Sequence, residues 1–62
     1  GHVRVRVFDV QGREVQVAFD GSLMADQPWP VALNLSQMSA GTYLVVVDTA
    51  GERTTKTFTV LR

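Results

Sequence analysis

Apolar and polar side chains alternate from the start of the chain, where Val3, Val5 and Val7 are separated by Arg4 and Arg6. This two-residue period is that of a strand with one buried face. Phe8 breaks the polar side of the pattern, which marks it as cover for a sheet edge or as a contact for a partner. Asp9-Val10-Gln11-Gly12 reads as a turn, since Asp9 can bond to its own backbone and Gly12 can take positive φ. A second strand is predicted from Arg13 to Phe19, with Val15, Val17 and Phe19 on one face and Glu14, Gln16 and Ala18 on the other. Asp20-Gly21 is a further turn signal. These first two strands are expected to form a hairpin.

Ser22 to Pro28 carries no useful period and reads as a loop. Pro28 and Pro30 bracket Trp29, and neither proline can donate to a ladder, so this stretch is at best the beginning of an edge strand. A third strand is predicted from Val31 to Leu35, with Trp29 in phase with its inward face. Ser36 to Gly41 is a polar connection suited to a single 3₁₀ turn, with Met38 tucked down as a plug. Thr42 to Asp48 is the strongest strand, rich in β-branched and aromatic residues. Its faces, Tyr43, Val45 and Val47 against Leu44 and Val46, are both apolar, as befits a central strand in a two-layer packing. Thr49 to Glu52 turns the chain, and Thr54 to Leu61 closes it, with Lys56, Phe58 and Val60 opposite Thr55, Thr57 and Thr59. Strands joined by short turns, without a crossover helix, predict an all-β sandwich or small barrel.

Sixty-two residues allow one small domain, and with no cysteine a disulfide cannot staple it. Six basic and six acidic side chains cancel and are spread along the chain. That argues against a nucleic-acid groove or a polybasic membrane patch, each of which needs a local positive excess. Gly1-His2 reads as a tag remnant, leaving residues 3–62 as the domain.

Catalytic chemistry has little to work with. His2 is the one histidine and it is terminal, where it cannot be held rigidly beside a nucleophile. Thiolate chemistry and cysteine-based zinc sites are excluded. Asp9, Asp20, Asp48 and Glu52 fall in or beside turns without the spacing of a calcium loop, so they read as turn caps. No glycine pattern fits a phosphate or dinucleotide loop, and neither an enzyme nor a cofactor is expected. Arg4 and Arg6 form a short basic stripe, which Lys56 would extend across the sheet, either as a solvated face or as a contact for an acidic partner. Trp29 and Phe8 are the aromatics suited to an exposed contact.

Three blocks occur in order: Val5-x-Val7-x-Asp9-x-x-Gly12-Arg13-x-Val15, then Leu33-Asn34-Leu35-Ser36-x-Met38-Ser39-Ala40-Gly41-Thr42-Tyr43-Leu44-Val45, then Thr55-Lys56-Thr57-Phe58-x-Val60-x-Arg62. Together they resemble the C-terminal sorting domain of type IX (Por) secretion cargo in Bacteroidetes. The resemblance implies an immunoglobulin-like β-sandwich, attached behind an N-terminal cargo domain, that passes through the periplasm. It also implies recognition by an outer-membrane translocon, delivery to the cell surface or medium, and removal by a sortase. By position, Asp9, Gly12, Arg13 and Val15 match the first motif, Gly41 and Tyr43 the second, and Lys56, Phe58, Val60 and Arg62 the last. Two departures stand out. Arg62 occupies a place where Lys is commoner, and the chain is short for a seven-stranded sandwich. A sandwich short of a strand exposes an edge that pairing with another copy would repair, so a dimer is expected. The alternatives are an immunoglobulin-like spacer module of an extracellular protein and a carbohydrate-binding module using Trp29.

Overall fold

The computed structural model describes residues 1–24 and 33–61. They contain four strands, β1 (His2–Asp9), β2 (Glu14–Ser22), β3 (Gly41–Thr49) and β4 (Glu52–Val60), with one 3₁₀ turn at Leu35–Gln37. All neighbours are antiparallel, in the order β2-β1-β3-β4. The all-β class therefore holds. The described residues form one open sheet, compatible with one layer of the expected sandwich.

The predicted first hairpin is present, and the Thr49 to Glu52 turn makes a second. Asp9 and Arg13 close the first, the Asp9 N–H donating to the Arg13 carbonyl at 2.9 Å, and Gly12 takes φ 86°. Ala50-Gly51 closes the second between the paired Thr49 and Glu52, with Gly51 at φ 85°. β1 and β3 lie inside the sheet, and the central place foreseen for the Thr42 to Asp48 run follows from its apolar side chains on both faces.

β2 departs from expectation. It runs on to Ser22, so Asp20-Gly21 is strand and not turn. Asp20 faces Arg4, and Gly21 leaves room for the Phe19 ring, which lies 3.2 Å from where a Cβ on Gly21 would be. The strand also carries two bulges. Phe19 pairs with Val5 and Val17 with Arg6, leaving Ala18 over; Gln16 pairs with Val7 and Glu14 with Phe8, leaving Val15 over. Each extra residue shifts the rest of the strand to the other face. The predicted Val15–Val17–Phe19 face is split accordingly. Phe19 packs inward, while Val15 and Val17 are 44% and 49% exposed.

The third strand is not found in its described part. Leu33 and Asn34 are irregular and Leu35 opens the 3₁₀ turn, half exposed. Asn34 is bound locally instead: its N–H donates to Gln16 Oε1 at 2.8 Å and its Oδ1 accepts from the Ser36 hydroxyl at 2.6 Å. Trp29 and the rest of that predicted strand, like Arg62, lie outside the described residues.

The core lies on one face of the sheet, in two clusters. Val7, Met38, Tyr43 and Val60 form one, with Leu33, Val45 and Phe58 against it. Val3, Val5 and Leu23 form the other, with Phe19, Val45 and Val47 beside them. Met38 is the expected plug, 5% exposed.

Candidate functional site

The three sequence blocks lie far apart along the chain, and the strand order brings them to one end of the sheet. β1 and β3 pair so that Asp9 stands beside Tyr43, and β3 and β4 pair so that Tyr43 stands beside Phe58. One row across three strands thus holds a residue from each block. Gly41 and Val60 form a further row toward the same end, and Lys56 lies one inward step back, beside Val45.

Asp9 organises the turn at this end. Its Oδ1 accepts from the backbone N–H groups of Gln11 and Arg13 at 2.9 and 3.0 Å, and its Oδ2 accepts from Arg13 Nε at 2.9 Å. The Arg13 backbone bond first, and then its guanidinium and the Gln11 N–H, hold the Asp9 carboxyl below the usual carboxylate range against the opposing cost of burial. Arg13 keeps most of its side chain in solvent, so the turn presents a fixed, partly neutralised cation.

Gly41 opens β3 at φ 150°, a conformation that side-chain-bearing residues rarely adopt, and nothing lies within 4 Å of where its Cβ would be. Two residues on, Tyr43 is buried, and its hydroxyl donates to the Ser39 carbonyl at 2.7 Å. Between the β1–β2 turn and the segment entering β3 lies an open groove of about 360 Å³, lined among others by Asp9, Arg13, Met38, Ser39, Gly41 and Tyr43. A second, more apolar hollow of about 460 Å³ lies over β3 and β4, where Lys56 and Phe58 meet Leu33, Val45 and Val47.

The other face of the sheet corrects the predicted basic stripe. Lys56 does not extend it, because Lys56 pairs beside Val45 and Val45 beside Val7, on the core face. Arg4 and Arg6 are met by acids. Asp20 lies 2.7 Å from His2 Nε2 and 3.4 Å from Arg4 Nε. Asp48 takes Arg6 at 2.7 Å and Arg53 at 2.6 Å. The Arg53 hydrogen bond chiefly, and that of Arg6 next, pull the Asp48 carboxyl below its ordinary pKa. Of the expected exposed aromatics, Phe8 is half-buried on this face under the Arg6 guanidinium, 5.2 Å from its ring centre. His2 opens β1, and Gly1 is bonded just ahead of it. The Gly1 amino group donates to the Leu23 carbonyl at 2.7 Å, and the Leu23 N–H returns a bond to Gly1 at 2.9 Å.

Sequence reasoning missed the Asp48 pairing and the Tyr43–Ser39 bond. The first needs strand register, which alternation alone does not supply. The second had a local signal, a tyrosine four residues after a turn-forming serine. Among the described residues no three His, Asp or Glu side chains gather as a metal site. A family model described as "Secretion system C-terminal sorting domain" matches residues 1–61. No curated protein and no solved structure matches the chain.

Proposed function

This chain belongs to the secretion system C-terminal sorting domain family, a signal of type IX secretion, and from that premise we propose that it carries an N-terminally attached cargo across the outer membrane to the cell surface or medium without catalysing a reaction. The observation that supports this reading most is the convergence of Asp9, Tyr43 and Phe58 in one row, with Gly41 and Val60 near it. A signal composed of shape needs dispersed residues gathered into one rigid patch. Asp9 fixes the turn, Gly41 sets the direction of β3, and Tyr43 and Phe58 hold β3 against β4.

In this reading the domain is residues 3–62, and the cargo passes through the periplasm before the translocon takes it up. Gly12, Arg13 and the groove beside them form one part of the surface that is read. Lys56 and Arg62 of the closing segment form the other, and a sortase acts after transfer. A second copy of the chain is a further partner, through the β4 edge.

The test is delivery of a reporter fused upstream of residues 3–62 in a bacterium with a type IX system. Removal of Thr55 to Arg62 should abolish surface delivery. Because Val60 is in the core, the truncated domain can fail by unfolding. Lys56→Glu, at an exposed position, therefore serves as the folded comparison and should reduce delivery. Periplasmic retention of the intact fusion would overturn the reading.

A further inference from the structure

The sheet has two edges, and they are built differently. On β2 the extra residues Val15 and Ala18 interrupt the ladder, a device that turns an edge away from further pairing. β4 has no such interruption. It pairs with β3 at every position from Glu52 to Val60, contains no proline, and is exposed along most of its length. No strand among the described residues covers its far side. Just past its end Leu61 is 86% exposed.

We propose that β4 pairs antiparallel with β4 of a second copy about a twofold axis at Thr57, joining two sheets into one. The side chains favour that register over those centred on Lys56 and Thr55. A twofold axis normal to the sheet keeps like faces together, so one residue must meet its own copy on the axis. Centring on Lys56 would set two ammonium groups opposite each other, which is unfavourable. Centring on Thr55 would set Glu52 against Phe58 and leave Leu61 uncovered.

Centring on Thr57 sets Lys56 against Phe58, Thr54 against Val60, Thr55 against Thr59, and Arg53 against Leu61. Every apolar side chain then gains a neighbour, the arginine stem covers Leu61, and no like charges meet. An inward-facing charge on an edge strand ordinarily discourages pairing. Here Lys56 excludes one register and is accommodated in another. This pairing depends on the sheet edges and the side chains of β4, not on the sorting role.

The chain has no cysteine, so a single introduced cysteine can form a disulfide only between copies. Directly opposed residues in an antiparallel pair have Cα atoms about 4.5–5.5 Å apart, within disulfide reach. Thr57→Cys should oxidise to a linked dimer roughly tenfold faster than Thr55→Cys, Thr59→Cys or a Ser22→Cys control on β2, because pairing raises the local thiol concentration. A mixture of Thr55→Cys and Thr59→Cys should link unlike chains in preference to like ones. Sedimentation equilibrium of the unmodified chain should show mass rising from monomer to dimer with concentration. A monomeric mass throughout, or equal oxidation rates at all four positions, would overturn the pairing. Fastest linkage at Thr55 or Thr59 would overturn the register. Surface delivery of the reporter is a separate measurement, so failure here leaves the sorting role standing.

Discussion

Tyr43 and Phe58 stand directly opposite each other on β3 and β4, their ring centres 5.7 Å apart and their planes inclined at 26°. The tyrosine hydroxyl reaches past this stack to the Ser39 carbonyl at 2.7 Å. One side chain therefore joins β3, β4 and the segment that enters β3, and it does so in the row where the three sequence blocks meet.

Tyr43→Phe keeps the stack and removes the bond to Ser39, and should cost about 1 kcal/mol. Tyr43→Ala removes the ring as well and should cost about 3–5 kcal/mol. Urea unfolding followed by far-UV circular dichroism separates the two. An unchanged midpoint for Tyr43→Phe would mean that the hydroxyl contributes nothing to holding the Ser39 segment.

The same region shows what the sequence made legible. Alternation located β1 and β4, because a half-buried strand imposes a period of two on its side chains, and β3 was legible from its run of β-branched and aromatic residues. The turns at Asp9–Gly12 and Ala50-Gly51 were legible from residues that cap or take positive φ. The path of β2 was not, since a bulge breaks the period and looks like an ordinary polar-apolar sequence until its partner strand is known. Gly21 misleads for a related reason: beside Asp20 it has the chemistry of a turn, yet it serves as space beneath Phe19. The motif residues themselves could be named from the three blocks. That Asp9, Tyr43 and Phe58 share one row depends on strand order, which local pattern does not encode.

Gly41→Ala should destabilise the domain through its backbone. At φ 150° an alanine is strained, whereas an added methyl group meets nothing within 4 Å. The cost should be about 1–3 kcal/mol, lowering Tm by roughly 4–8 °C for each kcal/mol in a domain of this size. Reporter delivery by this variant should fall further than its loss of stability accounts for. A thermal melt superimposable on that of the parent would remove Gly41 from the account.

Acid should unfold the domain through Asp9 and Asp48. Both carboxyls are held below the ordinary aspartate value of 3.8 in the folded chain. Their contribution is therefore complete at pH values above the ordinary one and is lost as pH falls below it, through the lowered folded values. Stability measured by urea midpoint should decline steeply in that acid range. Asp48→Asn should be less stable than the parent near neutrality and decline less steeply in acid, because Arg6 and Arg53 no longer face a titrating partner. Parallel acid limbs for parent and variant would show that Asp48 does not carry this dependence.

The two bulges in β2 also fix what changes of length the strand can accept. Between Phe19 and Glu14 the chain contains two residues more than β1 uses to cover the same rows. Losing one of them would carry part of the strand to the wrong face, placing Gln16 away from Asn34 or Phe19 in solvent. Losing both together would return the phase to register and leave a straight strand. Length variation here should therefore come in steps of two, and a lone deletion should be read as damage even where every remaining residue is conservative.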